Sequence, residues 1–177
     1  MTRISGSVLT VSDRASSGEY ADRSGPLAVR LLAEHGIDAT LTVVPDEPAE
    51  IRRGIRSAIK QGARVVLTTG GTGIAPRDVT PQVTAEMFTL ALPGVVDEIR
   101  RRGAETVPTA VLSRAEAGIV TSKKRPAAFV VNAPGSTGGV RDTIAVVGPL
   151  VAHIVDQLDG GDHPRADRAH VGLDVSC

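Results

Sequence analysis

The stretch that most constrains this chain is residues 64–69, RVVLTT. A short, continuous apolar run of this kind is typical of a strand buried on both faces, and such strands sit in parallel sheets covered by helices on each side. The run empties directly into a glycine turn at 70–73. In open α/β sheets, turns of this sort at the carboxyl ends of strands are where ligands bind.

The rest of the chain supplies matching elements. Residues 8–11 read as a β-leaning run that breaks into a polar loop over 12–25. Pro26 suits the N1 position of a helix, and Leu27, Leu31 and Leu32 form a helical stripe that ends at Gly36. Ile37, Ala39, Leu41 and Val43 alternate as in a strand. Pro48 opens a helix with Ile51, Ile55 and Ile59 on one face, stopped by Gly62. A helix start at Thr80–Pro81, a helix over 94–102, a strand over 127–131, a loop over 132–139 and a last helix to about 158 complete the order. Strands alternating with helices indicate an α/β protein with a three-layer, mostly parallel (mixed) central sheet and helices on both faces. The expected division is one α/β domain over 1–158 and a polar, unpatterned tail over 159–177.

Composition narrows the function. With 41% hydrophobic residues but only Tyr20, Phe88 and Phe129 as aromatics, the core must be aliphatic. So few aromatics also argue against a base-stacking surface. A formal net charge of zero provides no field drawing nucleic acid or an anionic membrane. The single cysteine, Cys177, leaves no internal disulfide. No charged and then apolar leader is visible at the start, and the apolar stretch 145–155 is shorter than the roughly 20 residues of a membrane span. The expected location is cytoplasmic.

The chemistry is expected around TTGGTGIAPRDVTP, residues 68–81. Glycines here let backbone N–H groups turn towards an anion, and Thr69 and Thr72 add hydroxyl donors. The alternative is a tight turn that needs glycine only for positive φ. Neither G-x-x-x-x-G-K-[ST] nor G-x-G-x-x-G after a strand is present, which sets ordinary P-loop chemistry aside. Asp78 follows the turn and Asp46 ends the second strand, so a parallel sheet puts both on its carboxyl-end rim. Magnesium takes one or two carboxylates plus substrate phosphates, and these acids suit it. The competing reading makes them caps of the helices at Pro48 and Pro81. Ser12 and Asp13 end the first strand on the same rim, where a solvated loop is the simpler reading. The basic clusters 52/53/56, 100–102 and 123–125 read as solvated faces, and the four histidines show no metal-ligand spacing.

These motifs resemble those of the molybdopterin adenylyltransferases of molybdenum cofactor biosynthesis, relatives of the gephyrin G domain and of MoaB-type proteins. The matching pieces run in the family's order: VLTVSDR with DRSGP, VPDE, LTTGGTGIAPRDVTP, PTAVLSRAEAGI and NAPGS. The resemblance implies a molybdopterin-binding-domain-like fold and magnesium-dependent transfer of AMP from ATP to the terminal phosphate of molybdopterin. By position, Gly70, Gly71, Thr72 and Gly73 would cradle the pterin's phosphate or its surroundings, Thr69 and Ser113 would contribute to substrate binding, and Pro134, Gly135 and Ser136 would lie beside the site. Asp46 and Asp78 would handle metal and nucleotide, and Ser12 and Asp13 would lie against the nucleotide. It also implies a homotrimer and hand-over of product to a molybdenum-insertion protein. Two departures concern the side near Ser136: Ala133 stands where the family often has leucine, and Thr137-Gly138-Gly139 where it often has a basic element. A non-catalytic MoaB-type pterin carrier is the alternative on the same fold.

Overall fold

The computed structural model describes residues 3–122 and 124–161. The expected tail therefore lies almost wholly outside the described residues, as do His163, His170 and Cys177.

The elements in order are β1 (Ile4–Val11), α1 (Asp13–Ser16), α2 (Ser24–Glu34), β2 (Ile37–Val44), α3 (Pro48–Lys60), β3 (Val65–Thr69), α4 (Thr80–Ala85), β4 (Leu90–Ala91), α5 (Pro93–Ala104), a 3-10 turn (Pro108–Leu112), β5 (Ala117–Ser122), β6 (Arg125–Ala133) and α6 (Thr137–Leu158). The sheet order is β2-β1-β3-β6-β5-β4. The first four of these strands are parallel, β5 pairs antiparallel with β6, and β4 pairs antiparallel with β5. The chain leaves β1 for β2 on one side and returns to β3 on the other. This reversal opens a crevice at the carboxyl ends of β1 and β3, where open α/β sheets bind ligands.

All five residues of β3 are buried, as the continuous apolar run predicts for a central strand. Two cores cover the sheet. One packs Leu27 and Leu32 of α2, Ile99 of α5 and Val140, Ile144 and Val147 of α6 against Val8, Leu67 and Phe129. The other packs Ile51, Ile55 and Ile59 of α3 and Val83 of α4 against Leu9, Val66 and Val130. Each fully buried isoleucine contributes about 1.5–3 kcal/mol. By length and composition α6 could cross a membrane. Its buried face lies in the first core instead, which makes it a core helix.

The structure corrects several boundaries. Residues 12–25 are not simply a solvated loop, because α1 lies at the rim and α2 already begins at Ser24. Asp22 Oδ1 accepts from the amides of Ser24 (3.0 Å) and Gly25 (2.9 Å), doing the work of a cap. Pro26 is third in the helix rather than at N1, a place it tolerates because the N–H groups of this first turn lack helical partners. The loop expected over 132–139 is shorter, since β6 runs to Ala133 and α6 starts at Thr137. Ser136 caps α6, its Oγ accepting from the Gly139 amide at 3.0 Å.

Candidate functional site

Five segments meet at the carboxyl-end rim: the end of β1 with α1, the β2–α3 turn, the glycine turn after β3, the 3-10 turn with Ser113, and the β6–α6 turn. Gly70 (φ +109°) and Gly71 (φ +62°) occupy the left-handed region that disfavours side chains. Both also sit too close to neighbours for a methyl group. One on Gly70 would stand 2.2 Å from Val11 O, and one on Gly71 would stand 2.5 Å from Thr80 Oγ1. Gly73 needs no positive φ, but Asp78 Oδ2 would lie 2.8 Å from its added methyl. The tight-turn reading thus holds for the first two glycines. Gly73 marks close approach of a carboxylate.

The two acids expected to converge do so, on either side of this turn. Asp46 Oδ1 would be 3.1 Å from a methyl on Gly71, as Asp78 Oδ2 is close against Gly73. Neither caps a helix. Glu47 and Val79 hold the cap positions of α3 and α4 without side-chain cap bonds. Asp46 Oδ2 instead accepts from the Asp13 amide at 2.8 Å, and Asp13 Oδ1 accepts from the Asp46 amide at 3.0 Å. Asp78 Oδ2 accepts from the Ala75 amide at 3.0 Å. Burial pushes the Asp46 carboxyl above the ordinary carboxylate range, and the like charges of Asp13 and Asp78 add to that effect. Asp13 is held below its ordinary value by the Asp46 amide and by Arg77. Ser12 caps α1, its Oγ accepting from the Ala15 amide.

Among the described residues no group of three or more His, Cys, Asp or Glu side chains forms a metal cage. Asp46 and Asp78 are the carboxylates here that could hold a divalent cation, which would complete its shell with phosphate oxygens and water. The remaining oxygens, Asp46 Oδ1 and Asp78 Oδ1, accept no hydrogen bond among the described residues. A cation there would relieve the crowding of negative charge that raises Asp46.

Beside the glycine turn opens a cleft of about 710 Å³. Gly70 to Gly73, Asp78, Ser113 and Pro134 to Ser136 line it, as the motifs predict. Thr69 does not. Its hydroxyl is buried and donates to Pro134 O at 3.0 Å, so it joins the β3 and β6 loops rather than facing a ligand. Gly135 lies against Gly70, where a methyl would be 3.3 Å from Gly70 Cα.

Three positioning groups escape a reading by motif alone. Arg114 grips the glycine turn from the far side: its amide donates to Thr72 O (2.9 Å), its Nε to Gly73 O (2.6 Å) and its Nη2 to Asp78 O. Arg77 joins the rim segments by donating to Asp13 (2.7 Å) and Glu47 (3.0 Å). Asn132 is wholly buried, donating to Thr68 Oγ1 and accepting from the Glu116 amide and Thr84 Oγ1. Both arginines lie inside the quoted motifs, PRD and LSR, so their pattern was visible but not their targets. Arg100, expected on a solvated face, lines the cleft and donates to Ser113 O (2.7 Å) and Ala115 O (2.8 Å). Arg101 and Arg102 are exposed, as expected.

Residues 7–153 match the family described as probable molybdopterin binding domain. The chain is 38% identical over 149 residues to a molybdopterin adenylyltransferase of Pyrococcus furiosus, covering 84% of this chain and 87% of that one. It is 40% identical over 158 residues to a molybdenum cofactor biosynthesis bifunctional protein of Synechococcus elongatus. That match covers 88% of this chain but 48% of the relative, so the chain spans about half of the bifunctional protein's length. Among solved structures, the tungsten cofactor synthesizing protein MoaB of Pyrococcus furiosus superposes with a TM-score of 0.83 at 34% identity, covering 89% of this chain and 98% of that one. With this fold, and with the glycine turn set between two rim carboxylates, the chain belongs to the molybdopterin-binding family of molybdenum cofactor biosynthesis.

Proposed function

We propose that this chain transfers AMP from ATP to the terminal phosphate of molybdopterin. The observation that carries the reading is that the Gly70–Gly73 turn and Asp78 line a cleft of about 710 Å³, while Asp46, outside that lining, stands against Gly71 of the same turn. A phosphate oxygen of molybdopterin attacks the α-phosphorus of ATP. The bond from that phosphorus to the bridging oxygen breaks, and pyrophosphate leaves. The attacking oxygen is already anionic, so no strong general base is required, and catalysis rests on positioning and charge neutralisation.

The Gly71, Thr72 and Gly73 amides and the Thr72, Ser113 and Ser136 hydroxyls hold the pterin phosphate, the Gly70 amide being taken by Ala133 O at 3.1 Å. Arg114 keeps the turn in shape. Asp46 and Asp78 hold magnesium, which when bound offsets charge on the transferring phosphates. Ser12 and Asp13 lie on the nucleotide side. A cytoplasmic homotrimer that passes its product to a molybdenum-insertion protein completes the proposal. Ile74, Val107 and Leu112, exposed at the cleft mouth, support association there. The bifunctional relatives, in which this unit is about half of the chain, support hand-over.

A second reading is a non-catalytic pterin carrier on the same fold. Mixing the protein with ATP, magnesium and molybdopterin separates the two. Adenylyl transfer releases one pyrophosphate per product; bound pterin without pyrophosphate marks the carrier.

A further inference from the structure

A second groove of about 730 Å³ lies away from the glycine turn, between α3, the end of α4 and the β5–β6 end of the sheet. Its lining carries five cations, Arg52, Arg56, Lys60, Lys124 and Arg125, against one acid, Glu86. In a chain whose formal net charge is zero, this is a marked concentration. Glu86 is already paired with Arg52. Arg56, Lys60, Lys124 and Arg125 are exposed, and none has a side-chain hydrogen bond or ion pair among the described residues. Elsewhere the exposed arginines of α5 are paired, Arg101 with Glu98 and Glu105 and Arg102 with Asp142 of α6.

The groove has an apolar side as well, formed by Ile59, Met87 and Val120. It also borders an open strand edge. β4 pairs only with Gly118 and Ile119, so β5 from Val120 to Ser122 has no strand on its outer side among the described residues. Unpaired backbone at a sheet edge accepts an added strand, and flanking cations discourage self-pairing of like edges.

We propose that this groove docks an extended acidic segment of a partner protein. Its carboxylates would meet Arg56, Lys60, Lys124 and Arg125, and its alternate apolar side chains would meet Met87 and Val120. A nucleic-acid strand fits less well, because no aromatic residue lines the groove to stack a base. A second copy of the same edge would bring cation against cation. The inference stands apart from AMP transfer, since the groove shares no lining residue with the cleft.

Fluorescence anisotropy with a dye-labelled peptide of alternating Glu and Val tests this, with a Lys–Val peptide and an oligothymidylate of equal charge as controls. The expected result is saturable binding of the acidic peptide alone. Its affinity should fall roughly tenfold or more in Lys60→Glu/Lys124→Glu and fall again with added salt, as for an exposed charge-driven contact. Pyrophosphate release and the melting temperature of that variant should match the unaltered chain. Should the double reversal not fold, Lys60→Gln/Lys124→Gln gives the same readout with a smaller loss. The proposal is overturned by no saturable binding, by equal affinity in the variant, or by tighter binding of the oligonucleotide. A changed oligomeric state in the variant also overturns it, by making the groove an interface between copies.

Discussion

Asp13 and Asp46, 33 residues apart, hold each other by a reciprocal pair: the Asp46 amide donates to Asp13 Oδ1 at 3.0 Å, and the Asp13 amide donates to Asp46 Oδ2 at 2.8 Å. The carboxyl ends of β1 and β2 are thereby tied into one rim. The same tie draws two negative side chains together in a partly desolvated place, with Asp78 close by. Such crowding costs stability and is characteristic of sites built for a ligand.

Replacing Asp46 by Asn should therefore make the magnesium-free protein more stable. Asn retains an oxygen for the Asp13 amide but removes the charge. A rise in melting temperature of about 2–4 °C at neutral pH is expected by scanning fluorimetry, the range for a gain near 1 kcal/mol in a domain this size. AMP transfer should fall on the order of 100-fold or more. A lower melting temperature would count against the crowding.

The titration of this rim has a defined sign. Asp46 is raised, so the folded state keeps a proton that the unfolded chain has lost; that contribution is present at lower pH and disappears as pH climbs through the raised value. Asp13 is lowered, and its contribution is present above the ordinary carboxyl range and lost as pH falls through the depressed value. Magnesium competes with the Asp46 proton, so its affinity should weaken on acidification before an ordinary carboxylate would titrate. Arg77→Ala removes a cation that favours ionised Asp46 and should move this acid limb to higher pH. Isothermal titration of magnesium-ATP across pH checks it; an unmoved limb would separate Arg77 from Asp46.

Arg114→Met should loosen the glycine turn. Gly73 O and Asp78 O would each lose a charged donor, for a destabilisation of about 1.5–3 kcal/mol by denaturant melt. Pterin affinity should fall with it, roughly tenfold if 1.4 kcal/mol of that loss is felt at the cradle. Arg114→Lys should rescue only in part, because an ammonium lacks the planar fork that reaches both carbonyls.

Glycine substitutions should differ by position. Gly70→Ala sets a methyl 2.2 Å from main-chain Val11 O, whereas Gly73→Ala meets the carboxylate of Asp78 at 2.8 Å. The first is expected to yield little folded protein. The second should fold, because the Asp78 side chain can move, yet lose metal-dependent turnover. Circular dichroism alongside pyrophosphate release distinguishes them.

Much of this was legible in the sequence because the parallel half of the sheet writes itself as apolar runs. β3 ending at Thr69, the isoleucine face of α3 and the stops at Gly36 and Gly62 all follow from local pattern. The antiparallel strands do not. β4 is two residues long, and β5 begins Ala117-Gly118, a weak strand signal. Gly118 is required there because a methyl would stand 2.5 Å from the Phe88 ring, a tertiary contact that no periodicity reveals. The start of α6 was hidden in a similar way, since Gly138 and Gly139 read as loop until the Ser136 cap is seen. At the site, the carboxylates and glycines were readable from their positions on the rim. Arg114 and Asn132 were not, because their roles depend on which distant carbonyls and amides they reach.

The most direct test is pyrophosphate release by Asp78→Asn, with ATP, magnesium and molybdopterin supplied and pterin binding followed in parallel. The account predicts that the variant folds and binds molybdopterin while its turnover drops on the order of 100-fold or more. Turnover equal to that of the unaltered chain would contradict it.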